Sequence, residues 1–181
     1  RGAILARQAD GIPLLLETLH SRDKAVLSIG LRTARELPGN AVTEALAVEL
    51  GSAPPDRAGP LFLALADRKD TAVLPVVLRT GRSGAKPLRL LAIEVMVRDG
   101  NPACVPVLLD TLTESDADLA KAAKAALAGW WGAEVDAQLT ARLAQATGNS
   151  RRLLVELAGQ RHVATVPTTA GKPTRRSRNA A

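Results

Sequence analysis

The sequence predicts an all-α fold, a right-handed α-solenoid of about five stacked antiparallel helix pairs. Two observations support this prediction. Residues 70–100 and 101–131 each show a helical pattern, a short polar turn and a second helical pattern, and the two segments match at a spacing of 31 residues. A fixed period of this length indicates stacked repeats, because one helix pair cannot bury its apolar face without a neighbour. The matching positions are Leu74 with Val105, Pro75 with Pro106, Leu78 with Leu109, Leu88 with Leu119, and Ala92 with Ala123.

The composition is that of an ordinary globular domain with an aliphatic core. Apolar residues make up 46% of the 181 residues and charged residues 23%, a balance typical of folded proteins. Phe62, Trp130 and Trp131 are the aromatic residues, so Leu, Val and Ala must fill the core. The single Cys104 excludes an internal disulfide framework and a metal site built on several cysteines. The longest apolar run, residues 88–97, is shorter than the roughly 20 residues that a membrane helix needs.

The positive charge is concentrated at the C-terminal end of the chain. The formal net charge is +6, but residues 1–149 contain 17 Lys and Arg against 17 Asp and Glu. Residues 150–181 contain seven basic residues and one acidic residue, Glu156. The high pI therefore describes a basic tail, and it argues against a basic binding face along the body.

We expect three segments along the chain. Residues 1–9 have the pattern of the end of a truncated preceding repeat, which indicates that the chain is part of a longer protein. Residues 10–161 are predicted to form the solenoid. Residues 162–181 are predicted to be a degenerate or truncated sixth repeat and a basic tail, which is rich in Thr, Gly and Pro and is expected to be disordered.

The first repeat is predicted to contain helices over residues 12–20 and 23–37, with Asp10 as the N-cap of the first helix. The helical spacing of apolar residues in the second helix predicts the side that faces the core. The inward residues are Val26, Ile29, Ala34 and Leu37, and the opposite stripe carries Lys24, Ser28, Arg32 and Arg35.

The second repeat is the least regular. A helix over residues 41–51 is followed by a long turn over residues 52–60 that contains several prolines. Because proline is tolerated in the first turn of a helix, Pro60 is predicted to start the second helix late, so that it covers only residues 61–68.

The later repeats carry clearer start signals. Asn101 and Pro102 are the preferred pair of an N-cap and a proline at the first helical position. Ser115 and Asp118 have the spacing of a capping box. The fifth repeat is predicted to contain helices over residues 133–145 and 150–160.

The segments 105-VPVLLDTL-112 and 115-SDADLAKAAKAALAG-129 resemble the short HEAT repeats of bacterial proteins, an armadillo-type family, and the resemblance covers about residues 10–160. A typical unit of the family has an arginine after the first apolar residue of its second helix. Arg89 matches that position, whereas Ala120 departs from it. The resemblance implies an α-solenoid whose second helices line a concave binding surface. Such repeats also occur in larger bacterial proteins, some of which carry haem or dehydrogenase domains.

The search for chemical motifs returns weak candidates. His20 and His162 have no carboxylate or cysteine at ligand spacing, so a surface or capping role is favoured over metal binding. Cys104 is predicted to be a small buried hydrophobe. The run 81-GRSGAK-86 has backbone N–H groups and Lys86 before a helix, as an anion site would, but its position favours the turn within a repeat. We expect no catalytic residue, no metal and no cofactor.

Trp130 and Trp131 allow two interpretations. Adjacent helical residues point about 100° apart, so only one of the two rings can pack fully between repeats. We favour a plug at the end of a second helix. The alternative is an exposed stacking platform of the kind that proteins acting on nucleic-acid bases use.

The favoured function is a non-catalytic scaffold for protein–protein interaction within a larger multidomain bacterial protein. The alternative is a HEAT-like module that binds nucleic acid or another polyanion, and a third possibility is a subunit of a HEAT-like lyase. The sequence does not identify the compartment, although a cytoplasmic location is slightly favoured. Self-association through uncapped solenoid ends is expected.

The exposed stripes of the second helices are the predicted site for a partner. Their basic residues would attract an acidic protein, because the acidic residues gather near the first helices and the turns. Ordinary solvated helix faces are the competing interpretation. The predicted partner-binding residues are Lys24, Arg32, Arg35, Arg98, Lys121, Lys124 and Arg152.

Overall fold

The computed structural model describes residues 1–161, which form helices and connecting turns, with no strand in this range. The predicted sixth repeat and disordered tail lie outside the described residues. Short 3₁₀ turns at Gln8–Gly11 and Pro102–Cys104 precede two of the α-helices. The α-helices are α1 (Gly2–Arg7), α2 (Ile12–His20), α3 (Lys24–Glu36), α4 (Asn40–Ser52), α5 (Pro55–Ala66), α6 (Val73–Ser83), α7 (Lys86–Asp99), α8 (Val105–Leu112), α9 (Ala117–Gly129), α10 (Ala133–Gln145) and α11 (Gly148–Gln160).

Helices α2 to α11 pack as five neighbouring pairs, each made of a first and a second helix: α2 with α3, α4 with α5, α6 with α7, α8 with α9, and α10 with α11. Each second helix also contacts the second helix of the next pair, from α3 through α5, α7 and α9 to α11. Their first residues repeat every 31 positions: Lys24, Pro55, Lys86, Ala117 and Gly148. The all-helical fold and the pairing of neighbouring helices are therefore confirmed.

The core follows the same period. One aliphatic residue on each first helix has no solvent exposure, and these residues are Leu15, Leu46, Val77, Leu108 and Leu139. One residue on each second helix is equally buried, and these are Ala34, Leu65, Met96, Leu127 and Ala158. Two buried columns thus run through all five pairs, because every pair buries the same position against its neighbours.

Helix α5 differs from the prediction. It begins at Pro55, and Pro60 lies inside it, so the predicted late start after Pro60 is wrong. A proline within a helix removes one backbone hydrogen bond and costs about 3 kcal/mol. The side chains that follow it, Leu61, Phe62 and Leu65, are all buried, and their packing offsets this cost.

Two predicted helix starts also require correction. Asp10 lies in the 3₁₀ turn before α2 and does not cap that helix. The cap of α9 is Asp116, whose Oδ1 accepts hydrogen bonds from the backbone N–H groups of Asp118 and Leu119 at 3.0 and 3.2 Å. The predicted capping box of Ser115 with Asp118 is therefore wrong by one residue. The cap at Asn101 is confirmed, since its Oδ1 accepts from the backbone of the residue two positions later at 2.9 Å.

Ile29 was expected to face the core, but it is 45% exposed. The face of α3 that meets α2 is centred instead on Gly30, where an added Cβ would lie 2.8 Å from the hydroxyl of Thr18. This close approach of the two helices turns Thr33 and Ala34 inward and leaves Ile29 at the surface.

A buried arginine ties the second pair to the loop before it. The Arg68 side chain is 2% exposed and lies just after α5. Its guanidinium donates hydrogen bonds to Asp70 Oδ2 at 2.6 Å, to Thr43 Oγ1 at 2.7 Å, to the Gly39 carbonyl at 3.1 Å and to the Ala34 carbonyl. Ala34, Gly39 and Thr43 lie at the end of α3 and the start of α4, whereas Asp70 follows α5, so one side chain joins two consecutive pairs.

Arg161 repeats this arrangement three periods later. It donates to the carbonyls of Leu127 and Trp130 at 2.5 and 2.6 Å and to Asp136 Oδ1 at 2.7 Å. The residue Trp130 is 9% exposed, whereas Trp131 is 96% exposed. Trp130 therefore packs as a plug at the end of α9, and only one of the two rings is buried, as predicted.

Candidate partner-binding surface

The second helices carry the seven basic residues that the sequence singles out. Lys24, Arg32 and Arg35 are on α3, Arg98 is on α7, Lys121 and Lys124 are on α9, and Arg152 is on α11. Lys124 is half-buried, and the other six are exposed. These residues lie along one row of helices because the 31-residue period places equivalent positions of successive repeats side by side.

Arg35 and Arg98 are brought together by one carboxylate. Arg35 Nε lies 2.9 Å from Asp67 Oδ2, and Arg98 Nη1 lies 2.9 Å from Asp67 Oδ1. The three side chains come from three consecutive pairs, so Asp67 bridges the first pair and the third. Asp67 was not predicted from the sequence, although it lies about one period from each arginine. Opposite charges one period apart were the available signal.

A second ion pair crosses from α9 to α11. Lys124 Nζ lies 2.5 Å from Glu156 Oε1. The hydrogen bond from Lys124 lowers the pKa of the Glu156 carboxyl, and the positive charge of Arg152 lowers it further. The Arg152 guanidinium also donates to Asn149 Oδ1 at 3.0 Å. Lys124 and Arg152 are thus gathered around one acidic residue.

On α3, Arg32 Nε lies 3.4 Å from Glu36 Oε1. Arg1 also binds this carboxylate, and its hydrogen bond is the main cause that lowers the pKa of Glu36. Lys24 and Lys121 differ from the other five, because neither makes a side-chain hydrogen bond or ion pair within residues 1–161. The basic stripe is therefore largely compensated by acidic and amide side chains on the same row of helices.

An apolar groove lies between these charges. It has a volume of about 500 Å³ and runs between α7 and α9, with Leu90, Val97, Ala122 and Ala125 among its lining residues. Val97 is 45% exposed. Glu94 is the one charged residue among the described residues that line it. A surface of this kind offers aliphatic contacts at its centre and charged groups around it, as protein interfaces do.

The other sequence candidates fall into structural roles. Gly81 lies within α6. Lys86 Nζ lies 2.6 Å from Asp118 and 3.0 Å from Asp116, and the hydrogen bonds that it donates to these two carboxylates raise the pKa of Lys86. Because both carboxylates already neutralise this amine, the geometry favours the turn over the anion site. Cys104 is fully buried, and burial raises the pKa of its thiol to about 11.

His20 has a partner that its sequence neighbourhood does not show. Its Nε2 lies 2.7 Å from Oε1 of Glu49 in the next pair. In the part of the chain that the structure describes, no three His, Cys, Asp or Glu side chains cluster as a metal site requires. His162 lies outside the described residues.

Among the described helices, none has both the length and the apolar character needed to cross a lipid bilayer. Comparison of the sequence with models of known protein families and with curated proteins gives no match. Any inference about function therefore depends on the geometry of this chain itself.

Proposed function

We propose that the chain is a HEAT-like α-solenoid that serves as a scaffold for a protein partner. The two buried columns and the contacts between successive second helices support the solenoid, because each pair packs mainly against the pairs before and after it. A solenoid is longer in one direction than a compact domain of equal size. Small-angle X-ray scattering should therefore give an elongated distance distribution, and the distribution of a compact globule would contradict the solenoid.

The apolar groove between α7 and α9 carries the functional proposal. It lies on the same row of helices as the predicted partner-binding residues, and Val97 is exposed within it. Partner surfaces place aliphatic and aromatic contacts at the centre and leave charged residues at the rim. We infer that a partner buries Val97 and meets Lys24 and Lys121, the two of the seven predicted residues that make no side-chain hydrogen bond or ion pair within residues 1–161.

A nucleic-acid partner fits the surface less well. Phosphate binding requires free Lys and Arg side chains, but Arg35, Arg98 and Lys124 are held by carboxylates one period away. A phosphate would have to displace these carboxylates. This arrangement supports an acidic or mixed-charge protein partner, and the absence of catalysis remains a prediction.

The test compares two double charge reversals that remove no side-chain hydrogen bond or ion pair within residues 1–161. Lys24→Glu with Lys121→Glu changes the second-helix row, and Arg7→Glu with Arg82→Glu makes the same charge change elsewhere. A third variant, Val97→Glu, places a charge in the groove. We expect the first and third variants to lose a partner captured from a source lysate and identified by mass spectrometry, while the Arg7 and Arg82 variant retains it.

Two results would contradict the proposal. One is equal capture by all variants, with circular dichroism showing that each remains helical. The other is binding to random duplex DNA that weakens steeply with salt and is abolished by the Lys24 and Lys121 reversals, because this behaviour defines a phosphate-binding surface.

A further inference from the structure

A second groove opens where the second and third helix pairs meet. It has a volume of about 420 Å³ and lies at the end of the pairs that carries the α4–α5 and α6–α7 turns. Its walls are aliphatic or small, with Leu50, Leu88 and Leu91 as the largest apolar residues. A volume between about 300 and 1,000 Å³ is typical of ligand sites in proteins.

The next interface shows what normally fills this space. Arg89, on α7, donates a hydrogen bond to the Gly81 carbonyl at 2.8 Å and two to the Glu114 carboxylate at 2.6 and 2.7 Å. Arg151, two periods later on α11, likewise donates to the Leu143 carbonyl at 2.7 Å. In both repeats the arginine reaches back eight residues to the last turns of its own first helix.

In the second pair this arginine is absent. Ala58 lies one period before Arg89, and it lines the groove. Leu50, Thr80 and Ser83 also line it. These three residues are the counterparts, one period earlier, of the partners that Arg89 contacts: Gly81, Thr111 and Glu114. The groove is therefore the space that a guanidinium fills at the next interface.

The backbone at this point also lacks hydrogen-bond donors. The carbonyls of Leu50 and Gly51 would accept from the residues four positions later, which are Pro54 and Pro55. Proline has no N–H group, so neither carbonyl has a partner within α4. Leu50 and Gly51 both line the groove.

Arg79 determines the charge of the groove. It is the one charged residue among the described lining residues, it is exposed, and its side chain makes no ion pair or hydrogen bond within residues 1–161. Arg79 also lines an open cleft of about 610 Å³ between α4 and α6, together with Val48, which is 78% exposed. The complementary ligand is an apolar group next to a carboxylate, because a guanidinium binds a carboxylate through two parallel hydrogen bonds.

We propose that this groove receives a peptide segment of a partner protein in which aliphatic side chains adjoin one acidic residue. The aliphatic side chains occupy the space left by Ala58, and the carboxylate pairs with Arg79. Backbone N–H groups of the segment donate to the carbonyls of Leu50 and Gly51. This inference rests on the proposed function, since it assumes a protein partner, but it concerns a surface separate from the groove between α7 and α9.

The experiment selects binders from a phage-displayed library of random dodecapeptides on the full chain. Ala58→Arg fills the groove, and the Arg151–Leu143 pair shows that an arginine fits beside a leucine at these positions. Arg79→Glu reverses the charge at the rim, and Arg82→Glu is the matched control on the same helix. We expect peptides enriched in Leu, Ile or Val beside Asp or Glu, whose affinity falls at least about tenfold with Ala58→Arg and with Arg79→Glu and is unchanged with Arg82→Glu.

Selection that yields no peptide, or peptides that bind the Ala58→Arg chain as tightly as the wild type, would overturn the inference. Arg79 is exposed, so its variant keeps the test valid even if Ala58→Arg disturbs folding. Capture of the partner from the lysate by each variant distinguishes the groove inference from the proposed scaffold function. If it is lost with Lys24→Glu and Lys121→Glu but kept with Ala58→Arg and Arg79→Glu, the groove inference fails while the scaffold function stands. If all variants keep it, both fail.

Discussion

Replacing Arg68 with methionine should destabilise the protein more than any other change of a single charged residue. The guanidinium binds Asp70, Thr43 and two backbone carbonyls, and its side chain is 2% exposed. Methionine is apolar and similar in length, so the change removes the charge and the donors while it leaves only a small cavity. The loss of stability therefore measures the contribution of the hydrogen-bonded network rather than that of packing.

The expected loss is about 3–5 kcal/mol of unfolding free energy. Removing one partner of a buried ion pair has this magnitude, because the other charge stays behind without compensation. Each acceptor that loses its donor adds about 1–3 kcal/mol if water cannot reach it. Asp70 is 18% exposed and Gly39 is exposed, so water reaches part of the network and the contributions do not add in full. For a chain of this size the melting temperature should fall by roughly 6–20 °C.

The pH dependence gives a second, independent signature. Burial raises the pKa of Asp70, but hydrogen bonds from Thr43 and Arg68 and the charge of Arg68 outweigh it, and the folded-state pKa lies below the usual 3.8. In the wild type, the Asp70 carboxylate therefore contributes stability at neutral pH that is lost as the pH falls through this lowered pKa. In Arg68→Met, Asp70 stays partly buried but has lost the neighbouring cation, so its pKa rises. Protonation at low pH then removes the uncompensated charge of Asp70. The stability difference between the two proteins should shrink on acidification.

Urea unfolding followed by circular dichroism at pH 7 and near pH 3, which is below the usual pKa of 3.8, measures both effects. Arg22→Met is the control, because Arg22 is exposed and makes no side-chain hydrogen bond within residues 1–161; it should change stability by less than about 0.5 kcal/mol. A loss below about 1 kcal/mol for Arg68→Met, or a loss that is the same at both pH values, would refute this account of the network.

Three further predictions follow from burial. Leu108→Ala, within the buried column of first helices, should cost about 2–5 kcal/mol in urea unfolding, whereas Val48→Ala at the surface should cost less than about 0.5 kcal/mol. Cys104 should resist iodoacetamide at pH 8 in the native protein and react after unfolding, because its thiol is buried with a pKa of about 11. Acrylamide should quench the fluorescence of Trp131 but not of Trp130, so Trp131→Phe should remove most of the quenchable signal; unchanged quenching would contradict the assigned exposures.

The period of 31 residues was sufficient to predict the helices and their pairing. It is visible in sequence because the same position in each repeat meets the same neighbours, as the buried series from Leu15 to Leu139 shows. Predictions made from neighbouring residues in the sequence were wrong where packing between helices determines the structure. Pro60 was expected to delay α5, but the burial of Phe62 and Leu65 holds the helix through the proline. Ile29 was expected inside, but the contact of Gly30 with α2 turns it outward.

The candidate surface was predicted less well than the fold. The sequence located the row of basic residues, because their positions on the second helices follow from the period. It did not show that Asp67 would bind both Arg35 and Arg98, since a local view of one helix omits the neighbouring repeats. Opposite charges separated by about one period are adjacent in space in this architecture. A search of the sequence for such pairs would also have found Lys124 with Glu156.

One position on the second helices connects the repeat pattern to the proposed function. In the second to fifth pairs it is occupied by Ala58, Arg89, Ala120 and Arg151. An arginine at this position seals the junction within its repeat, because its guanidinium satisfies a carbonyl at the end of the first helix. An alanine leaves the donor missing, and between the second and third pairs the result is an open groove beside Arg79. Positions where a repeat departs from its consensus are expected to be functional or strained sites. The gap in the series of arginines at Ala58 is where the proposal places a partner segment, and Ala58→Arg, which supplies the missing guanidinium, is the substitution that tests it.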